Sequence, residues 1–580
     1  MSGQSAELII EGRIATLGGD GGFGWAEALG IREGLVVAAG SRSEVGAVAG
    51  QATRRWRLSP DRLVLPGVTD AHVHLMNMVL AEQQVDLSAA DGLEATLAPL
   101  AEAHATRLAA GDRHGWLLGH GWSLDRLGRW PDTALLEGVC PGRPVALYAH
   151  DHHSRWLSAE ALLRAGIGPE TADPQGGVVR RDAGGLPTGI LHETACSLVD
   201  EAIPQPADAE LEAGLGRVAQ SLAALGVTGC HDPGELSGDR LITRGPTFYG
   251  RLAAAGRLPL RVHASVRAPQ LSRAIELGLR SGQGVAAESD DLQLSRRVER
   301  YRMGWLKLFA DGSLGSRSAA MLEPYDDAVA RPPTGGPRGM FLASADELRT
   351  DLRRAAAAGI SGQVHAIGDA GVRLALELLA DLPATALVRR VEHAQLVDPA
   401  DQPRFGQLGI AASVQPVHLR SDAEPAREAW GGRAEHAFPL ATLVRGGALV
   451  PMGTDAPVEP VDPWPGIAVA VVRRDPFRPE DAPLGAHNAI DLARALRSAC
   501  LDPAQSAGEG LLGRLVEGCR ADLIVVPADG LREPVDAPTL ASTRPLATLI
   551  DGETVFHAPS FDPGCPRREA RRGQQTDPPT

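Results

Sequence analysis

Two textures of apolar and polar positions alternate along this chain. Residues 7–61 read as short apolar runs broken by glycine: LIIEGRIATL, then AEALGIREGLVVAAGS with Gly34 and Gly40 at turn positions, then ATRRWRLSP. Runs of this length bounded by turn residues predict a small antiparallel β domain. The same texture returns near the carboxyl end in GRLVEGCRADLIVVPADG and PLATLIDGETVFHAP. The pattern therefore predicts one composite β domain, of the sandwich type, from residues 1–61 and 510–560.

Between these ends, short apolar segments alternate with Ala/Leu/Arg-rich stretches such as GLEATLAPLAEAHATRLAA and DLRRAAAAG. That alternation is the βα unit of a parallel sheet. Eight strand candidates stand at residues 63–71, 226–232, 258–266, 304–311, 362–368, 387–393, 409–416 and 448–455. Eight suits an α/β fold of the closed (β/α)8 TIM barrel kind, here over residues 62–84 and 216–509. The gap after the first candidate is far longer than a helix and a turn, so residues 85–215 are expected to form an insertion covering the active site. Residues 561–580 are charged, Pro-rich and poor in apolar side chains, as in a disordered tail.

Charge narrows the partners. The formal net charge is −15 and the pI about 5.6, which leaves no global basic footprint for nucleic acid or an anionic membrane surface. The amino terminus lacks a basic segment followed by an apolar run, and no stretch approaches the length of a membrane span. A cytoplasmic protein is expected, without nucleic-acid or membrane partners, and a homodimer is the default assembly for an enzyme of this size. The six cysteines are scattered without CxxC spacing, which predicts free thiols rather than a disulfide framework or a thiolate metal knuckle.

One count changes the picture. A chain of this length would ordinarily hold about thirty lysines, yet Lys307 is the single lysine among 57 basic Lys and Arg side chains. Arginine replaces lysine wherever a generic positive charge suffices, but not where a primary amine is needed.

The polar residues near the strand ends supply a context for that amine. The first candidate strand runs into Asp70-Ala71-His72-Val73-His74, and alternate positions of a strand face one side, so His72 and His74 can aim at one ion. Lys307 lies in the fourth candidate, His365 in the fifth, His393 in the sixth and Asp455 at the end of the eighth. In a barrel these ends converge on one mouth, where catalytic groups sit. Imidazole and carboxylate donors suit Zn²⁺ or another first-row divalent ion, whereas an ammonium does not ligate. A lysine amine combined with CO₂ becomes a carbamate whose two anionic oxygens can bridge two ions. The other readings of Lys307 are an ion pair to a substrate anion or to Asp311.

These segments resemble the metal-dependent amidohydrolase superfamily, in particular its YtcJ-like (amidohydrolase 3) branch, which includes N-substituted formamide deformylases. The text that carries the resemblance is LPGVTDAHVHL, GVTGCHD, WLKLFADGSLGSRSAAMLEPY, QVHAIGDAGVRLALELL, RRVEHAQLV, ASVQPVH, MGTDAPVEPVDPW and GRLVEGCRADLIVV, extending from about residue 7 to 557. The resemblance implies two divalent ions, most simply Zn²⁺, held by His72 and His74, a carboxylated Lys307 as bridge, His365 and His393 at the second ion, and Asp455 beside metal and nucleophile. The insertion is similar to the branch in DHHSRWLSAEAL and GLPTGILHETA, but departs from it at Ser158, where Asn is usual, and at Ser123, where Asp is common.

The expected reaction is hydrolysis of a non-peptide carbon–nitrogen bond, in an amide, N-formyl or other N-acyl compound. A hydroxide at the metal centre attacks the carbonyl, and Asp455 carries the proton from water to the leaving nitrogen. His418, beyond the seventh candidate strand, is a candidate to stabilise the oxyanion or hold a substrate carboxylate; a water-exposed loop histidine is the alternative. His231 and Asp232 are candidates for orienting a ligand. Asp311 and Arg317 read equally as loop-ordering partners and as substrate contacts, and Trp116, Trp122, Trp130 and Trp156 as a pocket floor or as core. The rival functions are an ester, lactone or phosphotriester hydrolase using the same centre, and a non-catalytic ligand-binding barrel. HAIGDAG lacks the GxGxxG spacing of a dinucleotide-binding oxidoreductase.

Overall fold

The computed structural model describes residues 5–234, 245–285, 292–327 and 335–563. The expected tail lies outside the described residues from position 564 onward, as does Cys565. The five described cysteines are free and buried. Among the described residues no helix is long and apolar enough to cross a membrane.

A parallel sheet of seven strands forms the centre: β1 (Val68–Asp70), β2 (Val227–Asp232), β3 (Arg261–Arg267), β4 (Tyr301–Phe309), β5 (Gly362–Ala366), β6 (Arg390–His393) and β7 (Ala411–Ser413). Each pairs with its neighbours in sequence order, giving an unbroken run from β1 to β7. The strands are buried almost throughout, as parallel strands covered on both faces must be. Amphipathic helices follow them. Asp208–Ala224, for example, turns Leu211, Leu215, Val218 and Leu222 inward, with Glu210 bonding back to the Ala207 N–H at its start.

Two expectations change here. The 63–71 candidate is split at Gly67: Arg62–Pro66 joins the terminal sheet and only Val68–Asp70 enters the parallel one. A Cβ on Gly67 would come within 2.3 Å of the Thr228 hydroxyl, so only glycine allows this crossing between sheets. The closed eight-stranded barrel is also modified. Residues 448–455 form no regular strand and make a single bridge, Val414 with Met452. Pro451 has no N–H for a ladder, and Asp455 has φ of 64°. The sheet is thus curled and incompletely closed as a regular ladder. The same segment still hydrogen-bonds on both sides: Ala412 and Val414 donate to Leu449 and Pro451, Ala71 donates to Met452, and Asp455 donates to the His72 carbonyl at 2.7 Å.

Two further sheets flank it, one of eight strands and one of six. The terminal one joins both ends of the chain in the order Glu553–His557, Ala547–Ile550, Leu523–Pro527, Arg62–Pro66, Leu8–Ala15, Trp25–Arg32, Leu35–Gly40. It is mixed rather than purely antiparallel, because Leu8–Ala15 runs parallel to both Arg54–Arg57 and Arg62–Pro66. The other is a six-stranded sheet within residues 85–193, with Leu117–Trp122, Val145–Ala149, Ser154–Leu157 and Pro187–Glu193 at its centre. Both of its faces are apolar: Tyr148, Leu157 and Leu191 pack in one cluster, and Trp122, Leu147 and Trp156 in another.

Candidate metal centre

β1 stops at Asp70, so His72 and His74 lie just beyond the strand rather than on it. Asp70 sets their geometry. Its carboxylate accepts from the Thr454 hydroxyl at 2.6 Å, the Thr454 N–H at 3.0 Å and the His72 N–H at 3.1 Å, tying β1 to the 448–455 segment. Burial pushes its pKa up to about 7. The Nε2 atoms of His72 and His74 lie 3.4 and 3.3 Å from Asp455 Oδ1.

Donor atoms of His72, His74 and Asp455 form one grouping, and those of His393, His418 and Asp455 a second, each within 4.8 Å. Asp455 belongs to both. His365 lies beside them, its ring 4.5 Å from that of His393 and its Nε2 3.1 Å from the Gly312 carbonyl. Among the described residues, His72 Nε2, His393 Nδ1 and Asp455 Oδ1 are buried without a hydrogen-bond partner. Buried polar atoms are nearly always paired, and orphaned imidazole nitrogens around an orphaned carboxylate oxygen are a donor set that fits divalent ions.

The electrostatics suit that occupancy. Burial, followed by the nearby Lys307, pulls the His72 pKa down to about 4. Burial likewise holds His365 and His393 well below the usual imidazole range, leaving neutral rings with lone pairs. Burial opposes the charge on Asp455, but His72, His418, His74 and His393 outweigh it and keep the carboxyl well below its ordinary range. Lys307 is 1% exposed, with Nζ 4.8 Å from the centre of the Phe309 ring, and burial lowers its pKa to about 7.

His418 is buried rather than water-exposed. Its Nε2 is 3.3 Å from Asp455 Oδ2 and its Nδ1 3.7 Å from Glu459 Oε1. Burial works against its cation, yet these two carboxylates raise the pKa to about 10.

The sequence reading did not single out the group behind His72. Glu392 accepts a hydrogen bond from His72 Nδ1, and Arg390 Nε lies 2.8 Å from Glu392 Oε1. His231 Nδ1 stands 2.9 Å from Arg390 Nη1, so His231 acts at one remove. An ionised carboxylate only accepts, so Glu392 places the His72 proton on Nδ1 and turns the Nε2 lone pair toward the site. The signal was two charged residues, Arg390 and Glu392, in a run expected to be fully buried. Asp232 accepts from the Tyr249 hydroxyl at 2.7 Å and from the Gly234 N–H at 2.9 Å, and the Gly234 carbonyl accepts from His74 Nδ1 at 2.6 Å, so Asp232 also acts at one remove.

The strand ends open into a cavity of about 450 Å³ that reaches His74, Lys307, His365, His393, His418 and Asp455. Trp122, Trp130 and Ser123 line it, whereas Trp156 is core and Trp116 borders a separate cavity. Ser158 caps the helix Ala159–Arg164, accepting from the Ala161 N–H at 3.2 Å, so that departure from the branch is a structural one. Asp311 orders its loop by accepting from the N–H groups of Ala320, Ile367 and Gly368, and Arg317 pairs with Asp327.

A shared buried carboxylate between two imidazole groupings, open to a cavity large enough for a small molecule, is the equipment of a metal-dependent hydrolase. The chain belongs to the amidohydrolase family, whose profile matches residues 60–556. It is 29% identical to the putative amidohydrolase YtcJ of Bacillus subtilis over 539 residues, 91% of this chain and 96% of that one. It is 27% identical to the N-substituted formamide deformylase of Arthrobacter pascens over 569 residues, 94% and 97% of the two chains. The crystal structure of an uncharacterized metal-dependent hydrolase from Pyrococcus horikoshii is similar with a TM-score of 0.69 and 25% identity, covering 92% of this chain and 99% of that one. Family and site together make this chain a metal-dependent amidohydrolase acting on carbon–nitrogen bonds.

Proposed function

We propose that the chain hydrolyses the non-peptide C–N bond of a small amide, with N-formyl and other N-acyl compounds as the substrate class, at a binuclear Zn²⁺ centre. The observation that carries this reading is the pair of donor groupings sharing Asp455 beside a buried sole lysine. Likeness to the formamide deformylase supports the substrate class. The ions, when bound, supply Lewis-acid polarisation of the carbonyl and lower the pKa of water toward neutrality.

His72 and His74 would hold one ion, His365 and His393 the other, and a carboxylated Lys307 would bridge them. A lysine pKa drawn down to about 7 keeps uncharged amine available for CO₂. Asp455 accepts a proton from the attacking water and returns it to the leaving nitrogen. His418 orients Asp455 through its 3.3 Å contact, and Glu392 fixes the His72 ring. In this reading the 448–455 segment serves as the eighth stave of a (β/α)8 barrel, the two chain ends form its companion domain, and residues 85–215 roof the cavity.

The test is a screen of small N-formyl, N-acyl and cyclic amides, with matched esters and lactones, using metal-replete and chelated protein. Amide turnover abolished by chelation and restored by Zn²⁺, Mn²⁺ or Co²⁺ is expected. Turnover of esters alone would assign the centre to ester or lactone hydrolysis, and full activity in metal-free protein would overturn the reading.

A further inference from the structure

The insertion grips the loop that follows β4, and that loop touches His365. Residues 312–318 read GSLGSRS, and Ser313, Ser316 and Ser318 are all buried. Two carboxylates of the insertion meet them. Asp151 Oδ2 accepts from the Ser313 hydroxyl at 2.6 Å, while its Oδ1 accepts from the His153 N–H at 3.0 Å. Glu193 Oε1 accepts from the Ser316 hydroxyl at 3.2 Å and from the Ser318 hydroxyl. Its Oε2 accepts from His153 Nδ1 at 2.7 Å, and its N–H donates to the His153 carbonyl at 2.8 Å. Each carboxylate is thus tied to the insertion by one oxygen and to the loop by the other.

Ionised carboxylates only accept, so the serine hydroxyls donate outward and their oxygens accept from the loop's own backbone. Ser318 Oγ takes the Ser313 N–H at 2.9 Å, and Ser313 Oγ takes the Ser316 N–H at 3.2 Å. The glycines fit the same arrangement: a Cβ on Gly312 would lie 2.5 Å from Glu193 Oε1, and one on Gly315 would lie 2.7 Å from Asp151 Oδ2. The loop so held presents a carbonyl to the site. His365 Nε2 is 3.1 Å from the Gly312 oxygen, whereas Asp311 Oδ1 stands 3.8 Å away, beyond hydrogen-bond reach. A carbonyl only accepts, so this contact puts the ring proton on Nε2 and leaves the lone pair on Nδ1. Glycine has the widest choice of backbone angles, so the direction of the Gly312 carbonyl depends on what holds the residues after it.

We propose that Asp151 and Glu193 are positioning residues for one of the two ions: they clamp residues 312–318 so that the Gly312 carbonyl holds His365 Nε2–H and keeps Nδ1 available as the ligand atom. The inference rests on the binuclear reading above, in which His365 and His393 hold that ion. A histidine that binds metal through one nitrogen ordinarily donates from the other, and the acceptor fixes its tautomer and angle. The insertion therefore takes part in metal binding through a loop it touches rather than through a ligand of its own. The other ion stands apart from this clamp, because His72 donates to Glu392 and His74 donates to the Gly234 carbonyl at 2.6 Å.

The experiment loads metal-free wild type and variants with Zn²⁺ by equilibrium dialysis and follows kcat at each Zn²⁺ concentration, with circular dichroism to report folding. Asp151→Ala and Glu193→Ala each release half of the clamp. Ser313→Ala and Ser318→Ala do so with the insertion untouched, and carry the test if the first pair fails to fold. The expected result is one ion retained with wild-type affinity and the other held about 10–100-fold more weakly, with kcat returning toward wild type as Zn²⁺ saturates. In His365→Asn, adding Glu193→Ala should weaken the remaining ion no further. Wild-type affinity for both ions in the folded variants, equal weakening of both, a further loss in the double variant, or a kcat that saturating Zn²⁺ does not restore would overturn the proposal. Two ions bound by wild type without amide turnover would sink the C–N reading and leave this test standing, because dialysis needs no substrate. Fewer than two ions in wild type would overturn the binuclear reading, and this inference with it, before any variant is compared.

Discussion

At the scale of single residues, the site depends on what only certain side chains can do. Arginine stands in for lysine everywhere else, but a guanidinium can neither form a carbamate nor bridge cations, and its fixed charge repels them. Lys307→Arg is therefore expected to hold at most one ion tightly; two ions and normal turnover in that variant would end the carbamate proposal. The same metal analysis separates two histidines. His365→Asn should lose an ion, whereas His418→Asn should keep both and lose turnover, and the reverse pattern would move His418 into the ligand set. Asp455→Asn should reduce kcat by about 10²-fold or more through loss of proton transfer. A change confined to KM would assign Asp455 another role.

At the scale of elements, the irregular 448–455 segment decides whether the donors meet. It is not a regular strand, since Pro451 cannot donate and Asp455 adopts φ of 64°. The close approach is at Gly453, where a Cβ would lie 2.4 Å from the His72 nitrogen and 2.8 Å from Asp70 Oδ1. Neither β1 nor the segment can yield without moving His72 or Asp455. Gly453→Ala should thus weaken metal binding with the fold largely retained, as equilibrium dialysis with Zn²⁺ and circular dichroism would report. Wild-type affinity would mean that the segment tolerates a wider spacing.

At the scale of the whole molecule, buried charge joins the parallel sheet to the terminal sheet. Arg261 on β3 lies 2.5 Å from Asp522 and also pairs with Asp551, and all three side chains are buried. Arg300 and Arg520 reach Asp551 at 3.3 and 3.2 Å. Arg261→Ala strands carboxylates away from water and should destabilise the protein by roughly 3–5 kcal/mol, readable as a lower denaturant midpoint; an unchanged midpoint would show that the remaining arginines suffice. Glu509 makes a pH-dependent contact of the same kind, 3.3 Å from Arg302 and 3.5 Å from His263. Burial opposes its charge, but these partners lower its pKa from 4.5 to about 2. Because the folded value is depressed, this stabilisation is fully present above pH 4.5 and lost as pH falls toward 2. Glu509→Gln should flatten the acid side of a melting-temperature profile, and an unaltered slope would exclude that contribution.

The sequence by itself determined the alternation of strand and helix, the shared β texture of the two ends, the chemical oddity of Lys307 and the residues at the strand termini. Those are local properties: a period, a composition, a side chain's reactivity. It could not determine that β1 would be severed at Gly67, that residues 448–455 would form no regular strand, or that residues 85–193 would build a sheet of their own. Nor could it place Glu392 on His72 across 320 positions, or clamp His153 between Glu193 and the serines after β4. Contacts of that span are fixed when the sheet curls and the insertion docks, because buried charges must then find partners wherever folding has brought them.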